Sequence, residues 1–283
     1  MTPFATTETA WLRSMPALFV FLWSTGFVGA KLGLPYAEPA TFLSLRFLFV
    51  LALMLPLALI LRAPWPRTMR QALHLAMAGV LVHGGYLMGV FSAIHAGMSA
   101  GLVALIVGLQ PLLTGLAAAP MLRERVSRRQ WVGLLLGIAG VALVVVQKAT
   151  FAGLGAFAVG TAFVALASIT AGTLYQKRYC GNFDLRTGSV IQFAAALAVL
   201  GPVAIAFEHR PVMWTAELAF ALAWLVVVLS IGAISLLAVL IRRGAATKVA
   251  SLFNQLSHFH LLSKDEILNE RMQRIFIKRV QTF

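Results

Sequence analysis

Long apolar runs broken by short polar links dominate the chain. Continuous hydrophobicity marks spans at residues 15–34, 40–61, 72–94, 99–122, 130–147, 153–175, 187–207 and 218–241. An α-helix rising ~1.5 Å per residue needs about 20 such residues to cross a ~30 Å hydrocarbon layer, and most of these runs reach that length. Because they are continuous rather than alternating, they predict eight membrane helices and exclude a β-barrel. Turn-forming residues separate them: Pro35 and Pro39, Pro64 and Pro66, Gly97, Gly153 and Gly155, Gly181-Asn182, and Pro211. The most complete unit is the hairpin from Gly97 to Gln147, two apolar arms joined by the basic link Arg123-Glu124-Arg125-Val126-Ser127-Arg128-Arg129.

Charge orients these helices. Counted on alternate links, one side collects 13 Lys and Arg residues and the other only Lys31, Lys148 and Arg210. The positive-inside bias then places the N-terminus (residues 1–14) and everything after the eighth helix in the cytoplasm. With 60% hydrophobic and 11% charged residues, the composition is that of a polytopic membrane protein. The net charge of +14 is scattered through short links and forms no continuous stripe, so no nucleic-acid partner is expected. A single cysteine, Cys180, rules out an internal disulfide framework and a cysteine-based zinc site, and reads as a passive loop thiol. Polar Trp23-Ser24-Thr25-Gly26 interrupts what would be a signal-peptide core, so the first span reads as retained.

The two halves repeat. A shift of 146 residues brings Gly26 onto Gly172, Lys31 onto Lys177, Arg46-Phe47 onto Gln192-Phe193 and Pro56 onto Pro202; a shift of 147 brings Ile94 onto Ile241 and Gly97 onto Gly244. A repeat of five helices, an odd number, forces the second copy to enter the membrane inverted.

Leu22-Trp23-Ser24-Thr25-Gly26-Phe27-Val28-Gly29-Ala30-Lys31 followed by Arg46-Phe47 resembles the opening of the EamA-like branch of the drug/metabolite transporter superfamily. The link Leu122-Arg123-Glu124-Arg125, then Arg129-Gln130-Trp131-Val132-Gly133 and Gly137-Ile138-Ala139-Gly140-Val141, is similar to the same family's signature between its fourth and fifth helices. The resemblance covers roughly residues 15–253. It implies an all-α fold of ten helices in two inverted five-helix repeats, the first at 15–147 and the second, incomplete, at 153–253. It also implies a central substrate path, alternating access, and export or exchange of a small metabolite, such as an amino acid or related polar compound, across the bacterial cytoplasmic membrane.

The chain departs from that pattern after Phe253. His258 stands where the first half has Pro111, and residues 254–283 are polar instead of forming a ninth and tenth helix. Ser263-Lys264-Asp265-Glu266 is a capping-box pattern opening a basic amphipathic helix suited to an anionic leaflet. Two readings stay open here: a transporter, or a truncated or frameshifted chain that is transport-inactive or serves as an eight-helix interaction protein.

Few groups at membrane depth carry chemistry. Arg46 lies about seven residues into the second span, where charge is costly unless it faces a partner, a cavity or a substrate. Its repeat equivalent is Gln192. His83 and Tyr86 share a face of the third span, and Trp23 and Gln110 are further polar or amphipathic groups at depth. Trp23, Arg46, His83, Tyr86, Gln110 and Gln192 are therefore the candidate substrate-binding residues, with interhelical packing the alternative role of each. Pro111 removes a backbone donor and is a candidate hinge. Gly85-x-x-x-Gly89 and Gly133-x-x-x-Gly137 offer smooth faces for helix contact. Gly97-Met98-Ser99-Ala100-Gly101 matches a serine-hydrolase pattern, but here the Ser opens a membrane helix instead of sitting on a strand-to-helix turn. No enzyme activity, cofactor or metal is expected; the expected partners are a small-molecule substrate and the lipid bilayer, with a homodimer left open.

Overall fold

The computed structural model describes residue 18 and residues 21–111, 113–115, 117, 155–181 and 183–233, and every regular element among them is helical. Helix α1 covers residues 21–33. Then come α2, Pro39–Ile60; α3, Met69–His95; α4, Ala100–Val107; α5, Ala156–Tyr179; and α6, Leu185–Phe207. The last, α7, starts as Ala216–Ala223 and continues as the π-helical Trp224–Ala233. Helices α2, α3, α5 and α6 are each long and apolar enough to cross a membrane, so the chain is a multi-pass helical membrane protein. The N-terminus 1–14, the link 123–129, the predicted span 130–147 with Gly133 and Gly137, residues 234–241 of the eighth span and the tail 254–283 lie outside the described residues.

Local sequence sets where these helices begin. Pro39 opens α2, where its missing N–H costs nothing. Thr68, Ser99, Asp184 and Thr215 each cap the helix that follows with a side-chain oxygen that accepts a backbone N–H, from Gln71, Leu102, Arg186 and Leu218 respectively. Ser99 of the hydrolase-like pattern is thus a helix cap. The Arg186 side chain also donates to Asp184, at 3.0 and 2.8 Å, and this bonding holds the Asp184 carboxyl below its ordinary range. Gly97, with φ +95°, makes the turn between α3 and α4 that a side chain would strain. Cys180 is buried at the end of α5 with Leu75 and Ala78, and burial pushes its thiol up.

Helices α2 and α6, related by the shift of 146, pack side by side. At one end of the pair, both carboxylate oxygens of Glu208, just past the end of α6, accept the N–H groups of Ala40 and Thr41 in the first turn of α2, at 2.8 and 2.7 Å. At the other end, Thr187 in the first turn of α6 donates to the carbonyl of Pro64, beyond the end of α2, at 2.8 Å. The end of each helix therefore meets the start of the other, and the two equivalent helices run antiparallel. An inverted repeat requires this arrangement.

The same relation recurs one layer out. Gly26 of α1 faces Leu229 of α7, and the equivalent Gly172 of α5 faces Val82 of α3. Both α3 and α7 contain π-helical turns, Val80–Gly85 in the first and Trp224–Ala233 in the second, and the shift of 147 places one within the other. The shift grows from 146 to 147 because α6, at 23 residues, is one residue longer than α2, at 22.

Glycines let these helices touch. Gly85 and Gly89 sit against Ser168 and against Thr161 and Ala165 of α5, the close approach expected from their spacing. Gly79 lies against α6 itself: a Cβ there would run into the Gln192 backbone. Gly79→Ala should separate α3 from α6 and cost about 1–3 kcal/mol, lowering the melting temperature in detergent. Gly160→Ala, which meets open space, should leave it unchanged or slightly raised. Equal effects of the two substitutions would contradict the packing described.

Candidate substrate-binding site

Where α2, α3, α6 and α7 meet, the apolar interior contains a small set of polar groups. Arg46 is only 5% exposed, and its Nη2 donates to the Ser230 hydroxyl at 3.1 Å. Ser230 in turn donates to the Leu225 carbonyl at 3.0 Å, an i−5 bond made inside the π-helical part of α7. Across the contact, His83 Nε2 bonds to Gln192 Oε1 at 3.3 Å, and since a carbonyl oxygen only accepts, the ring proton belongs on Nε2. His83 also lies in a π-helical turn, that of α3.

These two bonds are one bond seen twice. Arg46 corresponds to Gln192 under the shift of 146, and His83 corresponds to Ser230 under the shift of 147. Each second helix of a repeat reaches across to the third helix of the other. Phe47 and its equivalent Phe193 face each other with ring centroids 5.5 Å apart, so the pseudo-two-fold axis passes between them. His83 stacks on Phe193 at 4.2 Å and meets Phe47 at 6.4 Å.

Tyr86 is buried one turn beyond His83, within electrostatic reach of Arg46 and hydrogen-bonded to the side chain of Trp23 on α1. Trp23, Arg46, His83, Tyr86 and Gln192, five of the six sequence candidates, thus converge. Two donors in this group have no hydrogen-bond partner among the described residues: Arg46 Nε and Gln192 Nε2. A buried polar group left unbonded is unfavourable by about 1–3 kcal/mol, so the geometry offers a ligand two ready donors between aromatic faces.

Gln110 is not part of the group. Its amide donates to Thr173 on α5 at 2.9 Å, which ties the helical stretch after α4 to α5. Pro111, the hinge candidate, lies in a helical stretch that resumes at Gln110 after α4 ends at Val107 and a turn forms at Gly108 and Leu109. Proline 111 has no N–H to give the Val107 carbonyl and its ring crowds that oxygen, so the helix breaks one turn before the proline. Ser230, Phe47 and Phe193 were missed among the sequence candidates. Ser230 was findable as the repeat partner of His83, and the two phenylalanines as the equivalent neighbours of Arg46 and Gln192.

A cleft of about 190 Å³ lies elsewhere, between α1 and α7, lined by Thr25, Val28, Gly29, Leu32, Phe220, Ala221 and Trp224. It holds none of the groups that would recognise a polar molecule, because the Thr25 hydroxyl already accepts the Trp224 indole N–H at 2.9 Å and donates to the Leu22 carbonyl. Among the described residues no three His, Cys, Asp or Glu side chains gather to hold a metal.

Fold and site define a polytopic helical membrane protein with a polar centre between two antiparallel helix sets. The model of the EamA-like transporter family matches residues 14–146 of the chain. It is 32% identical over 128 residues to a probable amino-acid metabolite efflux pump of Salmonella typhimurium, a match covering 45% of this chain and 40% of that protein's length. It is 29% identical over 249 residues to the uncharacterized transporter YvbV of Bacillus subtilis, covering 83% of this chain and 76% of that one. A solved structure described only as "Crystal structure of protein" superposes with a TM-score of 0.54 at 22% identity, over 88% of this chain and 95% of that one, a likeness of fold. The curated relatives are named as transporters, not as enzymes.

Ser230→Ala should lower the melting temperature in detergent, since a hydrogen bond to a charged group contributes about 1.5–3 kcal/mol. In an Arg46→Gln background the same change should cost markedly less, and equal costs in both backgrounds would show that the two side chains are not coupled.

Proposed function

We propose that the chain moves a small polar metabolite, an amino acid or a related compound, across the bacterial cytoplasmic membrane as an exporter or exchanger. The observation that carries this reading is the reciprocal pair of polar contacts, Arg46 with Ser230 and His83 with Gln192, at the axis relating two antiparallel helix sets. A binding group at such an axis stays fixed while the two sets rock about it, which is the geometry alternating access needs. The named efflux pump among the relatives supports the substrate class, and the surplus of basic residues on one set of links supports a cytoplasmic N-terminus and C-terminal tail.

Each end of the bundle has contacts that a rocking motion would have to loosen in turn. At one end these are the Glu208 cap on α2 and the Glu38 carboxylate accepting the Arg210 N–H at 2.9 Å. At the other, His74 Nδ1 and the Tyr175 hydroxyl bond at 2.7 Å while Tyr179 stacks on the His74 ring at 4.9 Å.

The test is flux of radiolabelled amino acids in proteoliposomes. His83→Ala and Gln192→Ala should each reduce saturable flux about tenfold or more, the effect of losing one hydrogen-bonding group of about 1–3 kcal/mol. Gln110→Ala should leave it within about twofold, and a preparation of folded protein with no saturable flux of any amino acid would overturn the proposal.

A further inference from the structure

The charge balance of the site limits what it can hold. The chain has nine acidic residues. None lies within the four apolar spans: Glu38, Asp184 and Glu208 stand at helix ends, Glu217 is in the first turn of α7, and Glu8, Glu124, Asp265, Glu266 and Glu270 fall outside the predicted spans. Arg46 nevertheless sits eight residues into α2, about 10 Å from its start at ~1.5 Å per residue, and is almost wholly buried. A cation at such depth is normally paired with an anion, and among the described residues Arg46 is hydrogen-bonded to the neutral Ser230 hydroxyl, with Tyr86 within electrostatic reach.

The rest of the group has the same sign preference. Gln192 turns its carbonyl to His83 and leaves its amide N–H₂ unpartnered, and Arg46 Nε is likewise a free donor. Arg46 has no acceptor atom and the Gln192 Oε1 already accepts from His83, so the free groups of these two residues are donors. A cationic ligand would find Arg46 repelling it and no carboxylate to neutralise it.

Resting on the transport reading above, we infer that the site selects its substrate by a negative group, a carboxylate, which supplies the missing counter-charge of Arg46, and that it rejects organic cations. Arg46 Nε and Gln192 Nε2, one from each repeat, donate to the carboxylate oxygens. The apolar part of the substrate rests on Phe47, Phe193 and Trp23. An amino acid is read through its carboxylate, and its ammonium group contributes nothing to recognition beyond what a ring face offers.

The test uses one side chain in three charge states: N-acetylleucine, an anion; N-acetylleucinamide, neutral; and leucinamide, a cation. Each is measured on the purified full chain by ligand-induced melting shift, and by flux in proteoliposomes. The anion should raise the melting temperature and cross the bilayer saturably, with the cation at least tenfold weaker in both. Arg46→Gln is the discriminating variant, because glutamine is the residue that position 192 of the other repeat already accommodates, and its ligand-free melting temperature reports whether it folds. It should abolish the preference for the anion, while Arg46→Lys retains part of it. If Arg46→Gln does not fold, Gln192→Leu should still weaken the anion more than the neutral amide. Flux favouring the cation or the amide, or anion flux unchanged in Arg46→Gln, would overturn the inference and leave the transport reading standing. An Arg46-dependent melting shift by the anion with no flux would do the reverse. No melting shift by any of the three compounds would overturn the inference.

Discussion

The antiparallel contact of α2 with α6 is the constraint on which the remaining structure depends. Two equivalent helices that lie side by side and run in opposite directions can be related only by a two-fold axis perpendicular to them, and the Phe47–Phe193 contact marks its position. Everything attached to α2 must then have an inverted copy attached to α6. The Gly26–Leu229 and Gly172–Val82 contacts follow from this, as do the π-helical turns of α3 and α7 and the paired polar bonds. Glycine 79 pressed against the Gln192 backbone shows how tightly the axis region is closed.

Symmetry is broken where chemistry is needed. Arginine stands at position 46 and glutamine at 192, histidine at 83 and serine at 230. An arginine at the centre of a membrane helix is unfavourable by about 2.5–3.5 kcal/mol on insertion scales, and Arg46, well inside the 22-residue α2, bears part of that cost. The equivalent glutamine would fill the same place without the penalty. A residue of that cost, close to where the two repeats touch, fits the electrostatic role proposed above.

Much of this was legible in the sequence, for identifiable reasons. Hydrocarbon thickness fixes helix length, so the spans read at 40–61, 72–94 and 187–207 fall within three residues of Pro39–Ile60, Met69–His95 and Leu185–Phe207. Charge or polarity at depth singled out Arg46, His83 and Gln192, because a membrane leaves such groups few roles. Ser230 escaped because a serine in an apolar run is unexceptional on its own, and matching it to His83 requires following the register change caused by the extra residue of α6. Gln110 satisfied the same depth criterion yet points elsewhere, since the break at Gly108 and Leu109 ahead of Pro111 turns it toward Thr173. The π-helical turns of α3 and α7 were not read from the sequence.

Inversion of the two repeats is the claim on which the account stands, and impermeant labelling tests it most directly. In a Cys180→Ala background, a single cysteine replaces Arg67, exposed in the link after α2, or His209, exposed in the link after α6. These links follow equivalent helices that run antiparallel, so a membrane-impermeant maleimide applied to whole cells and to inverted vesicles should label the two positions from opposite sides. Labelling of both from the same side would mean that the repeats are parallel, and the shared site at their axis would not exist as described.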